Sequence, residues 1–200
     1  VYETSNTDTS DADNTNGSDI ESDYTEPTTV SRSGIENPEM EAVIRNLADK
    51  NLDCMLNIYS LNMLPYDDSA PLDYSDPSAY LVKCTSDRFH TYNSLVEYTY
   101  SVYTDSCAYE LLNKEFDSQK RYVDVDGELY CNRWLNGGIG YYTIWDNYDI
   151  RIDSLTDTSC DFTIIAEVVW PAEVPVLEDY PSSCTAVIED GVWVLTSMFY

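Results

Sequence analysis

Apolar residues fall at helical intervals from Met40 onward and then, past Arg121, at alternating ones. Met40, Val43, Ile44 and Leu47, followed by Leu52, Met55, Leu56, Tyr59 and Met63, recur three and four apart, with a phase slip near Asn51. Pro65 closes the run, so the spacing predicts a long core helix. Its start is marked by Asn37-Pro38-Glu39, which supplies an N-cap, a proline at the first helical position and an acid at the positive end of the helix dipole. Tyr66 to Ser78, with Asp67-Asp68, Pro71 and Pro77, reads as loop, and Ala79 to Cys84 as a short strand. Two shorter helices follow. One is capped near Thr91 and carries Leu95, Val96, Tyr100 and Tyr103; the next starts at Thr104-Asp105 and carries Ala108, Leu111 and Leu112 before Phe116.

Beyond Arg121 the period becomes two. Tyr122 to Tyr130 and Val187 to Leu195 each hold an Asp-Gly pair between β-rich flanks, the signature of a tight type I′ hairpin. Tyr148-Ile150-Ile152 and Phe162-Ile164-Ala166-Val168 alternate along strands, with a turn over Leu155 to Ser159. Pro171, Pro175 and Pro181 read as a longer connection, which leaves Cys160 and Cys184 about seven residues apart on neighbouring strands and unable to bond. The predicted class is α+β: N-terminal helices packed on a curved, mainly antiparallel sheet, in one domain spanning residues 38–200.

Residues 1–37 hold few large apolar groups, namely Val1, Tyr2, Ile20, Tyr24, Val30 and Ile35, and cannot offset the entropy of ordering. A disordered acidic tether is expected there. Charge sharpens the picture: 37 Asp and Glu against 10 Lys and Arg give a net −27, with nine acids and one base in the first 37 residues. A polyanion is repelled by phosphate backbones and anionic lipid, which points away from nucleic acid and towards a protein or cell-wall partner. No apolar run approaches the roughly 18 residues of a membrane span. The Thr, Ser, Asp and Asn content after a chain start that lacks Met leads to the expectation of a removed signal, with a lipid anchor upstream of Val1. The expected location is therefore extracytoplasmic, at the cell surface or secreted.

Six cysteines, Cys54, Cys84, Cys107, Cys131, Cys160 and Cys184, form an even set with no CxxC pair, and His90 is the one histidine. Metal ligation is therefore not expected, and three disulfides are, among 15 formal pairings. Buried free thiols are the alternative. His90 sits before a helix with no nucleophile motif near it, and GxSxG, HExxH and P-loop patterns are absent. Asp124 to Glu128 lacks the remaining ligands of a calcium loop, since Tyr122 and Arg133 stand where acids are needed. Asn136 to Gly140 is followed by strand-forming rather than helix-forming residues, so it cannot cradle a phosphate. No catalytic residue, metal or cofactor is expected.

One feature favours recognition. Trp134, Tyr141, Tyr142 and Trp145 surround the bend containing Gly137 and Gly138, and rigid amphipathic rings beside a flexible loop suit sugar or protein binding. Those six residues are the candidate partner site, with ordinary packing in a sheet as the plainer reading.

Several segments carry a family resemblance: Tyr-Leu-Val-Lys at 80–83, Thr-Tyr-Asn-Ser-Leu-Val-Glu-Tyr at 91–98, Glu-Leu-Leu at 110–112, the hairpin at 122–130, the glycine-rich bend, and Ile188 to Met198. Together they resemble small secreted lipoproteins of Gram-positive bacteria related to the D,L-endopeptidase inhibitor family, and the broader nuclear-transport-factor-two-like (cystatin-like) cone fold. The resemblance implies helices packed into a curved sheet and a non-catalytic extracytoplasmic binding protein that modulates or inhibits cell-wall hydrolases. Two other readings stand beside it. One is a small-molecule or enzymatic cone with a Tyr and carboxylate pocket, to be told by an open interior holding an acid of raised pKa; the other is a structural module of a surface assembly.

Overall fold

The computed structural model describes residues 30–60, 62–69, 75, 77–136, 143–170 and 176–200. Helix α1 spans Pro38–Asp53, and its entry is built as its sequence dictates: Asn37 Oδ1 accepts from the Met40 amide at 3.0 Å and proline occupies the first turn. It then widens into a π-helical turn, Cys54–Tyr59, where the Ser60 amide reaches back to Met55 O at 3.2 Å. The extra residue per turn absorbs the phase slip near Asn51 and keeps Met55, Ile58 and Tyr59 on the buried face. Tyr122 supports the turn from outside, donating its hydroxyl to Ile58 O at 2.8 Å and accepting from the Leu64 amide at 3.0 Å. Carbonyls and amides that a regular helix would have paired are thereby satisfied.

Helix α2, Tyr92–Tyr100, starts from a capping box in which Thr91 accepts from the Ser94 amide at 3.1 Å. Helix α3, Asp105–Asn113, is capped by Thr104. Among the described residues, no helix is long and apolar enough to cross a membrane.

Among the described residues the strands form three antiparallel sheets. β1 (Leu81–Lys83), β5 (Glu128–Asn132) and β4 (Tyr122–Val125) lie in the order β1-β5-β4; β2 (Glu115–Phe116) pairs with β3 (Gln119–Lys120). The largest ladder runs β6 (Thr143–Leu155), β7 (Ser159–Trp170), β8 (Val176–Glu189), β9 (Val192–Leu195) in sequence order. The molecule is an α+β fold. Both Asp-Gly hairpins form, with φ of 54° and 85° at Asp126-Gly127 and 51° and 80° at Asp190-Gly191, the left-handed region a type I′ turn requires.

Two sequence expectations fail in this ladder. Pro181 belongs to β8, opposite Ile165, rather than to a connection, and Cys160 pairs with Ala186 while Cys184 pairs with Phe162. The two cysteines are therefore diagonal neighbours on one face, not seven residues apart. Proline is accommodated because β9 pairs only with Ala186–Glu189, which leaves the far side of β8 at Pro181 without a strand partner.

The tether boundary also moves. Residues from Val30 lie along β6: the Ile35 amide donates to Ile152 O at 2.9 Å and Arg151 Nη1 donates to Ser31 O at 2.7 Å. Arg32 bridges Asp149 at 2.5 Å and Asp179 at 2.7 Å. The segment thus satisfies part of the open edge of β6, a use of residues 30–37 that low hydrophobicity does not reveal. Residues 1–29, on which the rest of the tether expectation falls, lie outside the described residues.

A continuous core joins helices and sheet, with Ile44, Ile58, Leu95, Phe162, Ile164 and Leu195 fully buried. Each such side chain contributes about 1.5–3 kcal/mol of transfer free energy.

Candidate functional site

The aromatic bend is not a cluster among the described residues. Trp134, on the 3₁₀ turn Arg133–Leu135, is half exposed but stacks on Tyr80 with centroids 5.3 Å apart and planes 20° from parallel. Trp145 is half-buried and packs on the core. Gly137, Gly138, Tyr141 and Tyr142 lie outside the described residues.

All six cysteines are free thiols, so the expected three bridges are not formed here. Packing, rather than pairing, sets their positions. Cys160 lies beside Asp161, and Cys184 contacts Ser197. Cys54, where α1 passes into the π-helical turn, sits against Tyr103, and burial pushes its thiol up to about 12. Cys84, directly after β1, meets Cys131 of β5 thiol to thiol, and that hydrogen bond with burial raises the Cys131 pKa strongly. Every resolved thiol shift is upward, which opposes nucleophilic use at neutral pH.

Among the described residues, the interior of the fold is filled. Phe162 and Ile164 are completely buried, Phe162 meets Phe199 edge to face at 6.3 Å, and Trp193 packs against the same core. Among the described residues, the carboxylates with resolved shifts all move down. Asp67 accepts from Ser69, Asp161 accepts from Thr185 and Ser154, and Asp179 is held by Arg32 and the Val30 amide. No carboxyl with a resolved upward shift, the mark of a general acid, is among them. His90 is exposed, and no group of three or more His, Cys, Asp or Glu among the described residues is arranged to hold a metal.

A concave surface opens elsewhere, between α3 and the chain after β9. That chain is stapled at both ends. Leu195 exchanges backbone bonds with Val102 (2.8 Å) and Thr104 (2.9 Å), and Asn51 holds Phe199. Between the staples Thr196, Ser197 and Met198 form one wall of a groove of about 600 Å³, whose other wall is Cys107, Glu110, Leu111 and Lys114 of α3. A small cavity of about 20 Å³ continues it inward, sharing Leu111, Lys114, Met198 and Tyr200 and reaching Tyr59, Phe116 and Arg121.

Arg121, between β3 and β4, is 9% exposed. Its Nη1 donates to Asn62 O at 3.1 Å, and its Nε is buried without a hydrogen-bond partner among the described residues. Burial pushes its pKa down; the ionisable groups of Tyr122, Cys131 and Tyr200 act the other way, and none of these is an Asp or Glu side chain. Nearby, the Lys114 ammonium lies 5.2 Å from the Phe116 ring centroid and Lys120 Nζ donates to Asn113 at 2.7 Å. Lys114, Lys120 and Arg121 take part in none of the ion pairs among the described residues, although acids outnumber bases 37 to 10. The signal for this locus in the sequence is its basic run: three of the ten bases fall within the eight positions from Lys114 to Arg121.

No protein-family model matches the chain, and comparison with curated proteins finds no match.

Proposed function

We propose that this chain is an extracytoplasmic, non-catalytic binding domain that receives a protein or cell-wall partner in the groove between α3 and the C-terminal segment. The observation that carries the reading is the groove itself, a concavity of about 600 Å³ on the same face as exposed Tyr109, Phe116 and Tyr200. Exposed rings beside a concavity are the residue types that dominate interface energetics. A filled interior and thiols shifted upward support binding over chemistry. The acidic Thr- and Ser-rich N-terminal stretch supports a place outside the cytoplasm. The family resemblance makes peptidoglycan endopeptidases the first partner class to try.

The test is capture of partners from a cell-wall extract, with hydrolase assays on what is captured, using the full chain and Tyr109→Ala and Phe116→Ala variants. Each truncation is expected to weaken capture by about tenfold or more. Capture unaffected by both would move the binding surface elsewhere, and hydrolysis unchanged by saturating protein would remove the inhibitory role.

A further inference from the structure

We infer that Arg121 and Lys114 form an anchor for a carboxylate, and that the occupant is the free C-terminus of a peptide or protein chain ending in an apolar residue. The inference rests on the reading of the groove as a partner site and names what that site selects.

Four observations converge on it. First, a guanidinium nine-tenths buried with an unpaired Nε is costly, because removing a charged donor from water without a partner forfeits its hydration. A carboxylate supplies the missing acceptor, and guanidinium–carboxylate geometry is the strongest neutralising pair available to a protein. Secondly, the 20 Å³ cavity beside Arg121 has room for about one oxygen atom, since a water needs roughly 10–15 Å³ of such space. One carboxylate oxygen fits there while the body of the ligand stays in the wider groove.

Thirdly, the surroundings are amphiphilic in the right order. Leu111, Met198 and Phe116 flank the inner end, which suits an apolar final side chain, and Lys114 stands over Phe116 at the entrance. Fourthly, charge selects against other anions. Glu110 lines the groove and the chain carries −27 overall, so a phosphate or sulfate dianion meets repulsion that a single carboxylate largely avoids. Farther from the anchor, Glu110 and the seryl and threonyl wall can accept from the N–H groups of the residues before the terminus. A free carboxylic acid without a peptide body uses the anchor and leaves that wall unused.

The experiment measures binding of the full chain to fluorescein-labelled hexapeptides ending in Phe or Leu, each as the free acid and as the C-terminal amide, with N-acetylphenylalanine as the small acid. The free-acid peptides should bind at least tenfold more tightly than their amides and than N-acetylphenylalanine, with affinity falling as salt rises. Lys114→Gln, a surface change, should erase several-fold of the acid preference; Arg121→Gln should erase most of it, with circular dichroism confirming that it folds. Equal binding of acid and amide overturns the inference, as does absence of binding by any peptide, in which case one buried water satisfies Arg121. Binding of N-acetylphenylalanine as tight as the hexapeptides overturns the peptide occupant and leaves a small-acid site. If Tyr109→Ala and Phe116→Ala weaken partner capture while acid and amide are indistinguishable, the groove stands and the carboxylate anchor alone fails.

Discussion

Asn51 grips Phe199 by both sides of its main chain: Nδ2 donates to Phe199 O at 3.0 Å, and Oδ1 accepts from the Phe199 amide at 3.2 Å. The same Oδ1 accepts the Tyr103 hydroxyl at 2.9 Å, so one fully buried amide joins α1, the segment after α2 and the end of the chain. Because that end forms a wall of the groove, a residue deep in the core sets the geometry of the surface.

Replacing Asn51 by Leu should therefore do two things. Three buried polar groups lose their partner at once, a change on the order of 3 kcal/mol given about 1–3 kcal/mol for an unsatisfied buried group. Urea denaturation should show the lowered midpoint, and amide exchange at Phe199 should accelerate well beyond that at Leu195, which keeps its own staple to Val102. Uniform acceleration across both residues would mean that Asn51 supports global stability only.

Gly34 gives a second, local prediction. A Cβ there would meet Ile152 O at 2.6 Å and Arg151 Cγ at 2.7 Å, distances that backbone cannot yield without moving. Gly34→Ala should peel Val30 to Ile35 from β6, break the Ile35 to Ile152 bond and separate Arg32 from Asp149 and Asp179. Limited proteolysis is the natural readout, with faster cleavage near Arg32 and little change in the global melting temperature. Cleavage at the parental rate would show that the close approach is not maintained in solution.

Much of this architecture is legible in the sequence because short-range chemistry decides it. The Asn37 cap, the Thr91 box and the two Asp-Gly turns need only their own neighbours, and all four stand where their residues put them. What stayed hidden depends on partners distant in the chain. Asp117 and Ser118 make a third turn with φ of 52° and 62° without any glycine to announce it, held by the pairing of Phe116 with Gln119. Pro181 reads as a break, and only the short reach of β9 explains why β8 runs through it. The groove is hidden for the same reason, since its walls lie some 85 residues apart and are brought together by the staples at Leu195 and at Asn51. Its basic run could have been noticed, but burial of Arg121 could not.

The thiols make a third prediction. At pH 8 under native conditions an alkylating reagent should label Cys107 first, because it is the one cysteine of the six that is half-buried rather than buried, and label all six in denaturant. Mild oxidation by a glutathione disulfide should join Cys84 to Cys131 before any other pair, releasing two equivalents of glutathione, since these two thiols already meet. Peptide mapping that found Cys160 joined to Cys184 first would show that diagonal adjacency matters more than thiol contact.

Stability should form a plateau in pH with a fall on each side. Asp161 and Asp179 are held below the ordinary carboxylate range, the first by Thr185 and Ser154 and the second by Arg32 and the Val30 amide. A depressed folded pKa contributes stability that is present above the unfolded value, about 4, and is lost as pH falls through the folded one. On the other side burial raises the Cys54 thiol to about 12 and the Cys160 thiol to about 11. In the unfolded chain both ionise near pH ~8.5, so their contribution is intact below that and declines as pH climbs towards 11 and 12. The surplus of acids adds repulsion at every pH of the plateau and of the alkaline fall, which salt should relieve. Urea midpoints measured from pH 3 to 11 should drop below about 4 and again above about 9, and Cys54→Ser should flatten part of the alkaline fall. A midpoint that rises between pH 9 and 11 would contradict the burial assigned to these thiols.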